Sequence, residues 1–316
     1  MITVWEEAAI VSLFGKDVYL WGLLCALGAL GFMGILLLIK GNSKLTRDTR
    51  YITYFLSLVL GIVLSRVLYC TLDRTLGSSI PFHAWFRLDA GGFSMFGALA
   101  GVTLAAFLSA RFTKQSFGSV ADVALPAFLA FVAFERVGEH WIPDFGISRQ
   151  LETEWLANSI LAVKGDYGVS YLATYFLEAA AAVILLIILL ADLKRSTRDG
   201  NTALLFLLLF GAVQTLLESL RYDYHISISF VGLQQILSFV LIAVATIILA
   251  RRNMKAQKRL SILALVLLPV IIGLCVLLEF GLDRTAINKF LLYGVFVLLL
   301  CVPVVLGLRL RKSETV

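Results

Sequence analysis

Charged residues are scarce in this chain of 316 residues: they make up 15% of it, whereas 60% of the residues are hydrophobic. This balance excludes an ordinary soluble domain, in which about a quarter of the residues are charged. Cysteine is also rare, and the four cysteines show no CxxC or metal-ligand spacing, so neither a disulfide nor a zinc site is expected. The sequence also lacks a Walker loop, a dinucleotide fingerprint and a paired-histidine metal motif.

Long apolar runs dominate what remains. A helix needs roughly 20 apolar residues to cross the hydrocarbon core of a bilayer, and nine runs meet that length. They are residues 18–40, 51–71, 91–110, 119–137, 171–191, 203–220, 227–250, 260–281 and 289–308. The first run is too long for a cleavable signal peptide, and the acidic residues Glu6 and Glu7 precede it in place of a basic start. We therefore predict an all-α polytopic membrane protein of nine helices in one membrane domain.

The basic residues predict an orientation. Seventeen of the 27 Lys and Arg residues belong to one alternate set of loops, and eight belong to the other set. The richer set comprises residues 40–50, 111–114, 194–198, 251–259 and 309–312. Because cytoplasmic loops carry the excess of Lys and Arg, the N-terminus should lie outside and the C-terminus in the cytoplasm. This asymmetry explains the net charge of +6 without a nucleic-acid partner.

Several ionisable residues fall inside the predicted spans, all in the outer third of the bilayer. Each costs about 2.5–3.5 kcal/mol on insertion scales, so a group of them at one depth indicates a polar site. The members, with a glycine turn at the same depth, are Arg66, Gly91, Gly92, Arg136, Glu178, Glu218 and Arg221. Helical spacing places further polar side chains on the same helix faces as these residues. Tyr69 lies beside Arg66, and Glu139 and His140 lie beside Arg136. Tyr171, Thr174 and Tyr175 lie above Glu178, and Gln214 lies below Glu218.

Each of these residues also has a plainer interpretation. Arg136 and Arg221 stand near span ends, where long basic side chains reach the interface. Arg66 and Glu178 are deep enough for a structural ion pair, and the glycines would also suit close helix packing. Taken together, the residues favour a positively charged pocket rimmed by carboxylates, which suits a phospholipid headgroup because arginine forks match phosphate oxygens. A small-anion transporter is the alternative from chemistry alone, but we find neither the broken helices nor the repeat symmetry it would need.

Several segments resemble the bacterial prolipoprotein diacylglyceryl transferases. They are Val18-Tyr19-Leu20-Trp21-Gly22-Leu23, the glycine-rich run 91–101, Ala121-Asp122-Val123-Ala124-Leu125-Pro126, Glu135-Arg136-Val137-Gly138-Glu139-His140 (against the family's Gly-Arg-x-Gly-Asn-Phe), Glu178, Glu218 with Arg221, and Gly232-Leu233-Gln234-Gln235. Their order holds over about residues 15–250, which suggests a seven-helix transferase-like domain over 1–250 and two additional helices over 251–316. Four positions depart from the family pattern: Phe96 replaces its histidine, Gln214 its late arginine, Glu139 its signature asparagine, and Leu20-Trp21 its Trp-Tyr pair.

The resemblance implies a function. The chain would transfer the diacylglyceryl group of phosphatidylglycerol to the lipobox cysteine of a prolipoprotein, as a multi-pass protein of the bacterial cytoplasmic (inner) membrane, without a metal or organic cofactor. Arg136, Arg66 and Arg221 would hold the phosphate, with Tyr69, Gly91 and Gly92 beside it. Glu178 and Glu218 would orient the arginines, and Glu139 or His140 would activate the thiol. The replacements at Phe96 and Gln214 leave open a catalytically silent relative that binds phospholipid or a lipidated partner.

Overall fold

A computed structural model gives the fold of the chain. The structure describes residues 9–13, 16–39, 45–75, 80–87, 91–142, 147–151, 153–164, 169–221, 227–228, 230–285 and 287–312.

Nine long helices make up most of the described part of the molecule, and each is long and apolar enough to cross a membrane. They are α1 (Leu20–Leu38), α2 (Arg47–Thr75), α3 (Met95–Thr113), α4 (Phe117–Gly138), α6 (Thr174–Arg195), α7 (Asn201–Leu220), α8 (Leu233–Asn253), α9 (Lys258–Arg284) and α10 (Lys289–Lys312); a single turn, α5 (Glu154–Ala157), precedes α6. The prediction of an all-α polytopic membrane protein with nine spans is confirmed. The predicted orientation of the termini stays a prediction.

Short antiparallel strands precede the first helix and lie in some of the connections between later helices. They are β1 (Ala9–Leu13) with β2 (Lys16–Tyr19), β3 (Ile147–Gln150) and β4 (Ala162–Lys164) on either side of β5 (Ser170–Ala173), and β6 (Ser227–Ile228) with β7 (Val231–Gly232). Because successive spans alternate in direction, all three sheets lie at the end of the bundle where α4 and α7 end. Three predicted spans start too early. Val18 and Tyr19 belong to β2, residues 171–173 belong to β5, and residues 227–228 and 231–232 belong to β6 and β7. Tyr171 therefore lies on β5 rather than on a helical stripe with Glu178.

The start of the third span also differs from the prediction. Gly91 and Gly92 have φ values of 67° and 76°, in the left-handed region that favours glycine, so the helix begins only at Met95. Ser94 caps it, and its hydroxyl accepts a hydrogen bond from the Gly97 amide at 3.3 Å. The chain thus turns sharply at the glycines before it enters α3.

Two apolar cores hold the helices together. One lies among α1, α2, α3, α4, α6 and α7, and the other lies among α7, α8, α9 and α10. Helix α7 contributes to both, and fifteen of its twenty residues are buried. Helices α7 and α8 together join the last two helices to the rest of the molecule. The C-terminal end of α7 carries Glu218, and Arg221 just after it, to one end of the bundle.

Candidate functional site

Arg136 is the centre of a buried cluster of charged side chains at the C-terminal end of α4. It is 3% exposed. Its Nη1 donates to Glu139 Oε1, its Nε lies 2.6 Å from Glu178 Oε2, and the same Nε lies 3.5 Å from Glu135 Oε2. Glu139 reaches it because α4 continues into a 3-10 turn, Glu139–Trp141, which keeps the two residues on one face. The expected juxtaposition of Arg136 and Glu139 is thus observed.

Glu178 connects this arginine to a second one. Its Oε1 accepts from Arg221 Nη1 at 3.3 Å, while its Oε2 faces Arg136. Arg221 Nη1 also lies 3.6 Å from Glu139 Oε2. The second turn of α6 supplies Glu178, and the residue just after α7 supplies Arg221. The convergence of these residues from three helices, inferred from the sequence, is therefore found in the fold.

The cluster carries more carboxyl than guanidinium groups, although the sequence predicted a positively charged pocket. Besides the ion-paired Glu135, Glu139 and Glu178, Glu218 in the last turn of α7 is only 2% exposed. Among the described residues, the three carboxyl groups of Glu135, Glu139 and Glu178 stand against the two guanidinium groups of Arg136 and Arg221. The sequence predicted a positively charged pocket, but the structure places carboxylates directly on the arginines, because buried charges are stabilised only when they are paired.

His140 lies beside this cluster and is the exposed member of the group. Its Nδ1 lies 2.7 Å from the Tyr175 hydroxyl, and its ring stacks on Phe176 with centroids 5.5 Å apart. Tyr175 is 2% exposed and follows the first residue of α6, one turn before Glu178. The histidine therefore stands between solvent and the buried cluster, and a buried hydroxyl fixes its ring.

Arg66 has a different environment from the one its predicted role requires. Its Nη2 donates to the Ala84 carbonyl at 2.8 Å, its Nε to the Trp85 carbonyl at 3.3 Å, and its Nη1 to the carbonyls of Gly91 and Gly92. Four backbone acceptors occupy most of its five donors. This geometry favours a structural role for Arg66, which holds two connecting segments together, over direct phosphate binding.

Tyr69 and the two glycines belong to the same arrangement. The Arg66 Cζ atom lies 6.0 Å from the Tyr69 ring centroid, which confirms that the two side chains share a face of α2. A Cβ at Gly92 would lie 2.5 Å from Tyr69 Cε1 and 2.7 Å from Arg66 Nη1, so a larger residue has no room there. Met95, which follows the turn at Gly91 and Gly92, links that turn to the charged cluster. Its sulfur accepts a hydrogen bond from Arg136 Nη2 at 3.2 Å.

Two of the four positions that depart from the family pattern, Phe96 and Gln214, are buried. Phe96 is 6% exposed and its ring packs on Phe210, with centroids 6.4 Å apart. Gln214 is 3% exposed, and its Nε2 has no hydrogen-bond partner among the described residues. An aromatic contact therefore occupies the place of the family's histidine, and no guanidinium group stands at Gln214 to offset the nearby carboxylates.

Two residues of the site, Glu135 and Met95, were not predicted as part of it, and the contact made by a third, Tyr175, was not predicted. Glu135 precedes Arg136 in sequence, so its place in the signature could have indicated a further carboxylate. Tyr175 had been placed on the polar stripe, but its contact with His140 depends on how α6 packs against the end of α4. Met95 carried no polar signal. Within the described residues, no set of three or more His, Cys, Asp or Glu side chains is arranged to hold a metal ion.

Comparison with known proteins adds an independent finding. The chain is 23% identical over 251 residues to a protein of Oceanobacillus iheyensis, covering 77% of this chain and 87% of that protein. It is 26% identical over 247 residues to a protein of Bacillus licheniformis (76% and 90%) and 26% identical over 259 residues to one of Bacillus cereus (79% and 94%). All three are named phosphatidylglycerol–prolipoprotein diacylglyceryl transferase. A sequence model of the prolipoprotein diacylglyceryl transferases matches residues 8–251, and the chain belongs to that family.

Proposed function

We propose that this protein transfers the diacylglyceryl group of phosphatidylglycerol to the lipobox cysteine of a prolipoprotein in the bacterial cytoplasmic membrane. The observation that carries the proposal is the pair of buried guanidinium groups, Arg136 and Arg221, held on opposite oxygens of Glu178 at one end of a nine-span bundle. The names of the relatives supply the reaction and its two substrates.

The arginines would bind the phosphate of the lipid. Met95 sulfur is a weak acceptor for Arg136 Nη2, so a phosphate oxygen would replace it with a stronger charge-assisted bond. Glu178 and Glu139 fix both guanidinium groups before the lipid enters, which removes most of the ordering cost on binding. Glu218, buried at the end of α7, would add to this frame. Arg66, Tyr69, Gly91 and Gly92 would shape the wall of the site without touching the phosphate.

The chemical step follows from the product. A sulfur–carbon bond forms between the cysteine and the terminal glycerol carbon of the diacylglyceryl group, the carbon–oxygen bond to phosphate breaks, and glycerol phosphate leaves. The leaving phosphate gains a negative charge, which Arg136 and Arg221 would stabilise. The thiol must lose its proton, because the thiolate is the nucleophile.

His140 is the better candidate for accepting that proton. Glu139 already accepts from Arg136 and is 1% exposed, so its oxygens serve the arginine pair. His140 is exposed and oriented by Tyr175, which leaves its second ring nitrogen available to a thiol that approaches from outside the cluster. We therefore assign the base to His140 and an orienting role to Glu139.

The decisive test is turnover by the purified chain. Phosphatidylglycerol and a lipobox peptide should yield a thioether-linked diacylglyceryl peptide and glycerol phosphate, both detected by mass spectrometry. Arg136→Ala should abolish lipid capture, and Arg136→Lys should restore it only partly, since an ammonium lacks the fork that matches a phosphate. Arg284→Gln, which removes an exposed arginine from the same end of the bundle, should behave as wild type.

Two results would count against the proposal. If wild type binds phosphatidylglycerol but forms no product with several lipobox peptides, the protein is a silent relative. If folded Arg136→Ala binds the lipid as tightly as wild type, the arginine pair is not the phosphate site.

A further inference from the structure

A cleft of about 390 Å³ opens between the last residues of α6, the first residue of α7 and the last turns of α10. Basic and apolar side chains line it together: Arg195, Asn201, Val305, Leu308, Arg309 and Arg311. Asp122, near the start of α4, accepts from the Gly200 and Ala203 amides at 2.7 Å each, so α7 begins at this end of the bundle. Asp122 precedes Arg136 by fourteen residues, or about 21 Å of helix, so the cleft is separate from the site described above.

Arg311 is the most constrained residue of the cleft. Its side chain is only 10% exposed, and its Nη2 donates to both carboxylate oxygens of Asp192, at 2.9 Å and 2.8 Å. Its Nε is buried and has no hydrogen-bond partner among the described residues. A buried N–H group of a charged side chain is costly to leave without an acceptor, so this nitrogen indicates that an acceptor is supplied by a ligand.

The charge of the cleft defines the class of ligand. Arg195 and Arg309 are exposed, and neither forms an ion pair with a carboxylate within the described part of the chain. The nearest acidic side chains are already engaged: Asp192 accepts from Arg311 and from the Thr202 hydroxyl, and Asp122 caps α7. Three guanidinium groups therefore face two carboxylates that are already hydrogen-bonded, those of Asp192 and Asp122, which favours a ligand with anionic oxygens.

We propose that this cleft binds the phosphate headgroup of an anionic phospholipid from the leaflet at this end of the bundle. Val305 and Leu308 are 46% and 40% exposed, and they stand on a membrane-spanning helix directly beside the arginines. In a glycerolipid the acyl chains lie next to the phosphate, so the phosphate would contact the arginines while the acyl chains contact Val305 and Leu308. A free phosphate ion would make no apolar contact with these two side chains. Basic pockets between spanning helices are suited to such headgroups.

The cleft also suggests what the C-terminal helices contribute, because α10 supplies four of its lining residues. Val305, Leu308, Arg309 and Arg311 belong to α10, which lies outside the matched residues 8–251, while Arg195 and Asn201 lie within them. The site is therefore complete only where the additional helices meet the transferase domain. A lipid bound there would contact both parts.

Photo-crosslinking tests the assignment. The full chain is placed in phosphatidylcholine nanodiscs that contain a small fraction of phosphatidic acid with a diazirine in one acyl chain, and labelled peptides are mapped after irradiation. We expect labelling in the peptide around residues 305–308, competed by unlabelled phosphatidic acid and not by inorganic phosphate. Each basic residue near an anionic lipid contributes on the order of a fivefold factor in affinity, so Arg195→Gln with Arg309→Gln should raise the apparent Kd roughly 25-fold. Both residues are exposed, so the double variant should fold.

Arg259→Gln is the matched control, because it removes an exposed arginine from the same end of the bundle but not from the cleft. If the double variant and the control lose the same amount of labelling, the lipid is attracted to the basic surface in general, and the proposal is overturned. Equal competition by inorganic phosphate would show a soluble-anion site and overturn the lipid assignment. A wild-type protein without labelling at residues 305–308 would overturn it outright.

Discussion

At the scale of single residues, the site consists of charges that neutralise one another before any substrate arrives. Arg136 contacts three carboxylates, and two of these, Glu178 and Glu139, also contact Arg221. Removing one partner of such a group leaves a buried charge uncompensated, which typically destabilises a protein by about 3–5 kcal/mol. For each substitution within the cluster, the stability of the folded protein must therefore be measured together with its activity. His140 is exposed, so a substitution there should disturb the structure less.

The first residue-scale prediction concerns the base. His140→Gln should lower kcat by roughly 10²–10⁴-fold, the usual contribution of general-base assistance, while KM for phosphatidylglycerol stays within error of wild type. The physical reason is that His140 lies outside the arginine pair and is oriented by Tyr175. Steady-state kinetics with a lipobox peptide measures both constants.

Glu139→Gln and Tyr175→Phe serve as comparisons for this prediction. Glu139→Gln should raise KM, since Glu139 holds Arg136, and Tyr175→Phe should lower kcat less than His140→Gln because it only loosens the ring. The opposite pattern, with kcat lost in Glu139→Gln and retained in His140→Gln, would move the base to Glu139.

The place of Phe96 leads to a second residue-scale prediction. The family's histidine falls on this position, but Phe96 packs against Phe210, which in turn stacks on Phe206 with centroids 5.1 Å apart. Phe96→His would bury a polar ring among phenyl groups without a described acceptor, so we expect a lower melting temperature and no gain in turnover. A rise in activity at unchanged Tm would show that the site still has room for the family's histidine.

At the scale of elements, the sequence predicted the spans well and their ends less well. Apolar length alone located all nine helices, because an α-helix must cross about 30 Å of hydrocarbon. It could not predict that Ser170–Ala173 pairs with β3 and β4, since strand pairing depends on distant partners. The sequence also could not tell which glycines form a turn and which allow close helix packing. Gly91 and Gly92 form a turn, whereas Gly97 and Gly101 allow α3 to lie against α2.

The helix crossing gives an element-scale prediction. A Cβ at Gly97 would lie 2.5 Å from the Leu64 carbonyl oxygen and 2.6 Å from Ser65 Cα, and both are backbone atoms that cannot move without separating the helices. Gly97→Ala should therefore destabilise the protein by about 1–3 kcal/mol, the usual cost of overpacking. Thermal unfolding in detergent, followed by circular dichroism, measures the effect.

Gly34→Ala is its matched control. Gly34 also lies within a spanning helix, but nothing stands within 4 Å of a Cβ built there. Alanine should be neutral or slightly stabilising at that position, because glycine costs roughly 0.5–1 kcal/mol in a helix interior. If both variants melt alike, close packing at Gly97 is not what holds α2 and α3 together.

At the scale of the whole molecule, the two ends of the bundle differ in chemistry. One end carries the buried cluster of Arg136, Glu178 and Arg221 together with the three small sheets. The other end carries the basic segments and the cleft around Arg311. The sequence predicted this polarity from charge counts, but it could not predict which residues would touch, since Arg66 bonds backbone carbonyls where an open pocket had been expected.

The polarity predicts which end faces the cytoplasm. Single cysteines at Asn158, beside α5, and at Lys255, between α8 and α9, should report opposite sides of the membrane when the native Cys25, Cys70, Cys275 and Cys301 are replaced. An impermeant maleimide applied to intact cells should label the cysteine at Asn158 and leave that at Lys255 untouched until the membrane is opened, because the Lys- and Arg-rich loops remain in the cytoplasm. Both positions are exposed, so access to the side chain does not limit the reaction in either variant. Labelling at Lys255 in intact cells would reverse the assignment, and it would place the arginine pair on the side opposite to the one where an exported prolipoprotein presents its cysteine.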